Sequence, residues 1–185
     1  MRELSSSFLL LKPSVENRSP KFYPEEFEKD WARISKVFNN IPKEAFEELF
    51  FPFWDWDHFQ KLYGYLDFHL LKFELITFTN AELAKVGWYS RFDRAESIAR
   101  WSLEDFRDCF GLQKEVIESW EVDGTWLEPV WILNSTTFPS GVLSNEIKSP
   151  YMLIEGHTRM GSLELMKRHN KAGDTHKVWL ISYLK

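Results

Sequence analysis

Tyr151-Met152-Leu153-Ile154-Glu155-Gly156-His157-Thr158-Arg159-Met160-Gly161-Ser162-Leu163 is the stretch that decides how the chain folds. Pro150 precedes a short apolar run, Tyr151 to Ile154, of the kind that forms a buried strand. Gly156 permits a sharp turn that a side chain would obstruct. Thr158 is then a fair N-cap, and Met160, Leu163 and Met166 or Lys167 follow at helical spacing. A strand that feeds straight into a helix leaves backbone N–H groups at the positive end of the helix dipole, a ready site for anions and for phosphate above all. Arg159, in the first turn, adds a planar guanidinium suited to bidentate contact with phosphate oxygens.

Working outward, Leu127 to Leu133 reads as a strand, with Pro129 at its start or on an edge. Residues 134–149 form a polar loop, long enough for a lid or a hairpin tip. Lys171-Ala172-Gly173-Asp174 is a turn before a last strand, His176 to Leu184. Upstream the period is helical. Pro24-Glu25-Glu26 starts a helix with Phe27, Trp31, Ile34 and Phe38 inward, stopped by Asn39-Asn40. Pro42 opens a shorter helix carrying Phe46, Leu49 and Phe50, and Phe51 to Trp56 is an aromatic break. A long central helix, capped by Asp55 or Asp57, is expected to run to about Phe78, with Phe59, Leu62, Tyr63, Leu66, Leu70 and Phe73 on its face and Gly64 as a weak point. Thr79-Asn80-Ala81-Glu82 is a capping box for a helix that stops at Gly87. Ser102 caps a helix ending at Gly111, and Leu112 to Val122 is another, with Val116, Ile117 and Trp120 inward. The start of the chain, Met1 to Leu11, reads as a short strand or arm. The expectation is an α+β fold: a mainly helical, aromatic-rich region, residues 1–100, packed on a small mixed-sheet domain, residues 101–185.

Composition narrows the class. The 185 residues are 44% hydrophobic and 28% charged, which describes a globular chain. With 9 Trp and 16 Phe, the core should be built of large rings, with some left over at a surface. A net charge of −5 argues against non-specific nucleic-acid binding and suits a small molecule or a basic protein. Cys109 is the only cysteine, so neither a disulfide nor a cysteine metal site can form, which suits a reducing, cytoplasmic setting. No apolar run approaches the roughly 20 residues of a membrane span.

Residues 101–185 resemble the ParB/sulfiredoxin-like superfamily of bacterial and other proteins. The resemblance rests on a succession: Ser119-Trp120, Gly124, Pro129-Val130-Trp131-Ile132, then Tyr151 through Arg159, then Lys177-Val178-Trp179-Leu180-Ile181. It implies a nucleotide-binding protein, a kinase or hydrolase, with a nucleoside triphosphate and Mg²⁺ as the ligand. Glu155, Gly156, His157, Thr158 and Arg159 would then form the phosphate cradle. His157 stands where sulfiredoxins carry their reactive cysteine, so that sulfur chemistry is not expected. Thr158-Arg159 stands where ParB proteins have paired arginines. No helix-turn-helix follows the matching segment, so specific DNA binding is not expected. The family's upstream basic residue has Arg91, Arg94 and Arg100 as candidates. No catalytic residue can be assigned.

Other chemistry is weaker. His157, His169 and His176 lack metal-ligand spacing, and no metal site is expected. His58 and His69 would share a face of the long helix. Asp55 and Asp57 could form a carboxylate pair but read more simply as caps. Cys109 reads as core. A second functional class therefore stands beside the first: an acidic immunity or inhibitor protein that binds and neutralises a basic bacterial toxin, such as an RNA-cleaving nuclease, through acidic patches and aromatic anchors.

Overall fold

The computed structural model describes residues 3–15, 19–88, 93–111 and 113–184, except for the side chains of Asp93 and Arg94. Arg91, Leu112 and the side chain of Arg94, on which expectations were placed, lie outside the described residues. The chain is α+β. It forms two compact units: Met1–Phe73 with Thr137–Ile147 and Ile181–Lys185, and Glu74–Thr136 with Lys148–Leu180. Residues 1–100 thus contribute to both units, as do residues 101–185.

The first unit is helical and aromatic. Helices α1 (Ser6–Leu10), α2 (Pro24–Ile34), α3 (Lys43–Ala45), α4 (Phe51–Phe53) and α5 (Asp57–Tyr63) form it, with a π-helical turn, Phe46–Phe50, between α3 and α4. Within the opening stretch, Ser6–Leu10 is therefore a helix, not a strand or arm. Ser5 Oγ accepts from the Phe8 amide, and Phe8 and Leu11 are buried. Helix α2 stops at Ile34, short of Asn39-Asn40. The expected aromatic break comes later too, because the π turn carries the helical path through Phe53. Phe8 stacks on Trp54 with centroids 5.3 Å apart, and Phe27 on Phe46 at 5.6 Å. Phe50 meets Phe68 edge-on at 5.2 Å. Such pairs add to the roughly 2 kcal/mol that each buried ring contributes by leaving water.

The long helix expected to run to Phe78 is absent. Helix α5 ends at Tyr63, a 3₁₀ turn covers Phe68–Leu70, and β1 (Leu71–Thr79) follows. Gly64 is the C-cap of α5, where glycine's low helix propensity favours a stop, and its bare Cα lets Leu4 approach, since a Cβ there would lie 2.5 Å from Leu4 Cδ2. Beyond it, Phe73, Ile76, Thr77, Phe78 and Thr79 are strand formers, and a sheet takes them up. His58 and His69 consequently share no helix, and His69 stacks on Phe38 at 4.5 Å. Neither Asp55 nor Asp57 caps α5; its N-cap is Trp56, with no side-chain hydrogen bond. The 137–147 segment is not a free lid. Within this unit the Ser144 amide donates to Tyr65 Oη at 2.7 Å, and Lys61 Nζ lies 2.5 Å from Glu146 Oε1.

The second unit holds most of the sheet. After β1 come α6 (Asn80–Leu83), β2 (Val86–Gly87), α7 (Asp93–Ala99), α8 (Leu103–Phe110), α9 (Lys114–Glu118) and a π turn, Ser119–Asp123. Then come β3 (Val130–Asn134), β4 (Tyr151–Glu155), α10 (His157–Arg168) and β5 (Thr175–Tyr183). The Thr79–Glu82 capping box is present, but α6 spans one turn only, and Gly87 sits in a strand instead of stopping a helix. Among the described residues the strand order is β1-β5-β3-β4-β2. β3 pairs antiparallel with β4 and β2 pairs parallel with β4. β3 is thus central, and Pro129 lies just before its first residue, where a missing N–H costs the ladder nothing. Helix α10 crosses α7 closely. A Cβ at Gly161 would lie 2.5 Å from the Ala95 carbonyl oxygen and 2.9 Å from its Cα. Met160, Leu163, Leu165 and Met166 fill the core beneath, with Trp120, Val130 and Ile132.

Candidate functional site

The β4–α10 corner is built around Gly156, whose φ of +102° is open to glycine at little strain. Its missing side chain also matters, because a Cβ there would lie 2.5 Å from Val130 Cγ1. Gly156 itself occupies the N-cap position and α10 begins at His157. Thr158 therefore stands inside the first turn and is not the cap; its carbonyl accepts from Ser162 Oγ at 2.9 Å. No side chain caps this helix, and its first turn carries no acid.

Arg159 does not reach into open space. Its Nη1 donates to the Pro129 carbonyl at 2.9 Å and to the Glu128 carbonyl at 3.2 Å. Its Nη2 donates to Glu155 Oε2, and Glu128 Oε2 lies 3.7 Å from Nη1. The Arg159 side chain is 19% exposed, and that of Glu155 26%. One cation thus faces two carboxylates, and the guanidinium clasps the start of α10 to the residues that lead into β3. The structure brings Glu155 and Arg159 together as an ion pair across one helical turn. Arg100, the remaining upstream arginine, pairs locally with Glu96 at 3.5 Å and is exposed.

The other expected groups scatter. His157 opens α10, His169 follows its last residue, and His176 lies buried on β5. Among the described residues no three His, Cys, Asp or Glu side chains converge as a metal would need. Cys109 is exposed on α8, contrary to its reading as core. No helix among the described residues is long and apolar enough to cross a membrane.

Two features were missed in the sequence. The first is where the charge sits. Residues 103–128 hold eight carboxylates against two cations, or −6, while the whole chain carries −5. A running charge count would have found this. Glu104, Asp105, Asp108, Glu115, Glu118, Glu121, Asp123 and Glu128 are all exposed. α8 and α9 turn their apolar residues inward: Phe106 and Phe110 are buried on α8, and Trp120 just past α9. Arg107 ties α8 to the π turn that follows α9, with Nε 3.0 Å and Nη2 2.6 Å from Glu121 Oε1. That hydrogen bond holds the Glu121 carboxyl below its ordinary range. Val122, 80% exposed, and Leu127, 54% exposed, stand bare among these acids.

The second is a hollow of about 350 Å³ within the same unit. Gly124, at φ +66°, turns the chain beside Gly173, whose amide donates to the Gly124 carbonyl at 2.8 Å. This close approach brings Thr125 to His176, with Oγ1 2.8 Å from Nδ1. Burial holds the imidazole pKa below its ordinary 6.5, so the ring is neutral near pH 7; the Gly173 backbone opposes that shift and Lys167 adds to it. Trp126 packs on the same ring at 4.9 Å and donates from Nε1 to the Lys177 carbonyl at 2.7 Å.

No protein-family model matches the chain, nor does any curated protein or solved structure.

Proposed function

We propose that this chain is a binding protein whose acidic α8–α9 face holds a basic protein, the partner class of an immunity protein directed against a cationic toxin such as an RNA-cleaving nuclease. One observation carries the reading: the eight exposed carboxylates of residues 103–128, with Val122 and Leu127 bare among them. Like charge gathered on one stretch speeds and orients encounter with an oppositely charged partner, and exposed apolar side chains supply the contact area that charge alone lacks. The test is capture of basic proteins, RNA-cleaving nucleases included, by the wild type and by a variant with Glu104, Asp108, Glu115 and Glu118 all changed to Gln. Capture by the wild type should weaken steeply with salt and be lost in the variant. Equal capture by both proteins, or none by the wild type, overturns the reading.

A second reading has its own support. The uncapped start of α10, with no acid in its first turn, suits an anion such as a nucleoside triphosphate with Mg²⁺, as the ParB/sulfiredoxin-like resemblance implies. Arg159 would have to exchange Glu155 for phosphate. Glu155→Gln should then increase the thermal stabilisation given by a nucleotide and Mg²⁺. A flat response in both the wild type and this variant removes the reading.

A further inference from the structure

The hollow beside the acidic face is the part of the molecule that nothing above assigns. Asp123 and Leu127 belong both to its lining and to the acidic stretch, so whatever rests on that face meets its mouth. Its volume of about 350 Å³ is at the small end for a ligand site and suits one long side chain better than a cofactor. The lining is rich in acceptors: the Asp123 carboxylate and the hydroxyls of Thr77, Thr125 and Thr175. Trp126 adds an indole, the aromatic surface on which cations rest best. His176, 1% exposed, lines the hollow too, and its Nε2 makes no hydrogen bond. Because burial keeps that ring neutral, it sets no positive charge against an entering cation. Lys177 is the one cation among the described lining residues, and it is exposed.

We propose that this hollow receives an arginine or lysine side chain of the basic protein held by the acidic face, with Asp123 and the threonine hydroxyls taking its N–H groups and the Trp126 indole forming part of the wall beside it. The proposal rests on the acidic-face reading for its partner, and it is tested with probes that do not depend on that reading. Propylguanidinium and butylammonium, which are the two side chains without a backbone, are titrated into the isotopically labelled whole chain. The indole N–H signal of Trp126 and the ring signals of His176 are followed by NMR. Saturable shifts are expected in the wild type, and their loss is expected in Thr175→Tyr, which fills the mouth from an exposed position. Asp123→Asn should bind about two- to fivefold more weakly, the range of one exposed ion pair, and Lys177→Gln more tightly by a similar factor. Absence of saturable shifts overturns the proposal. So does weaker binding by Lys177→Gln, or perturbation of the same signals by acetate or phosphate in place of the cations. The four-Gln face variant should keep the probe response, since it leaves the lining untouched. Loss of the probe response with protein capture intact therefore defeats the hollow alone, and the converse defeats the face alone.

Discussion

Arg159 was singled out by its place in the sequence as a phosphate ligand, yet its donors are spent on two backbone carbonyls and the Glu155 carboxylate. Charge-assisted hydrogen bonds to partly buried carbonyls stabilise more than neutral ones. Replacing the side chain leaves those oxygens without partners, and Arg159→Ala should destabilise the second unit by about 1–3 kcal/mol. Arg159→Lys should recover only part of this, because an ammonium cannot span the fork. Urea unfolding of the three proteins checks both expectations. His176 allows a pH prediction. Its folded pKa lies below the ordinary 6.5, so on acidification the unfolded chain takes up a proton before the folded chain does. The contribution is therefore complete above pH 6.5 and is lost as pH falls from there through the folded value. The melting temperature should drop over that window in the wild type, and the drop should be shallower in His176→Gln.

At the scale of elements, two glycines carry close contacts. Gly161→Ala sets a methyl group against the Ala95 backbone, and the α7–α10 crossing must open to admit it. The expected cost is about 1–3 kcal/mol, as for overpacking elsewhere, read as a lower melting temperature. Gly124→Ala combines a left-handed residue with a contact 2.7 Å from the Gly173 amide nitrogen. It should cost at least about 1 kcal/mol and also move the Thr125–His176 pair, so its His176 ring signals should shift. The cap of helix α8 is sensitive to acid as well. The backbone and side chain of Ser102 hold the Asp105 carboxyl below its ordinary range. That cap is intact above the ordinary carboxylate pKa and fails as pH falls through the lowered one.

The elements also show what a single sequence can and cannot reveal. The β3, β4, α10 and β5 succession was legible because Pro129, Pro150, Gly156 and the 171–174 turn punctuate it locally. The α8 capping box was legible for the same reason. Residues 64–79 were misread because Leu62, Leu66 and Leu70 mimic helical spacing, while strand β1 draws its stability from a neighbour, β5, that lies far along the chain. At the candidate site the sequence located the corner and its arginine. It could not reveal that Glu128, far from Arg159 in sequence, arrives there, since that depends on how β3 and β4 pair.

For the whole molecule, the division of the chain matters more than its composition. The first unit draws on three separated stretches, the last of them Ile181–Lys185. Within that unit the Leu184 amide donates to the Leu70 carbonyl at 2.8 Å, and the Tyr183 amide to Thr137 Oγ1 at 2.9 Å. Removing residues 181–185 should therefore loosen the first unit selectively. Hydrogen exchange in α2 and α5 should quicken, while β4 and α10 keep their protection.

Such interleaving also fixes an order of events during synthesis. A ribosome that has made the aromatic helices of residues 24–63 has not yet made the segments that complete their unit. More than a hundred residues of further chain separate those helices from the last of them. Phe27, Phe46 and Phe50 find ring partners early, among Trp31, Phe51, Phe59 and Phe68, but the unit as a whole stays incomplete while the intervening chain emerges. Slow closure over so long a separation makes this interval the one in which chaperones are most needed and clumping is most easily provoked.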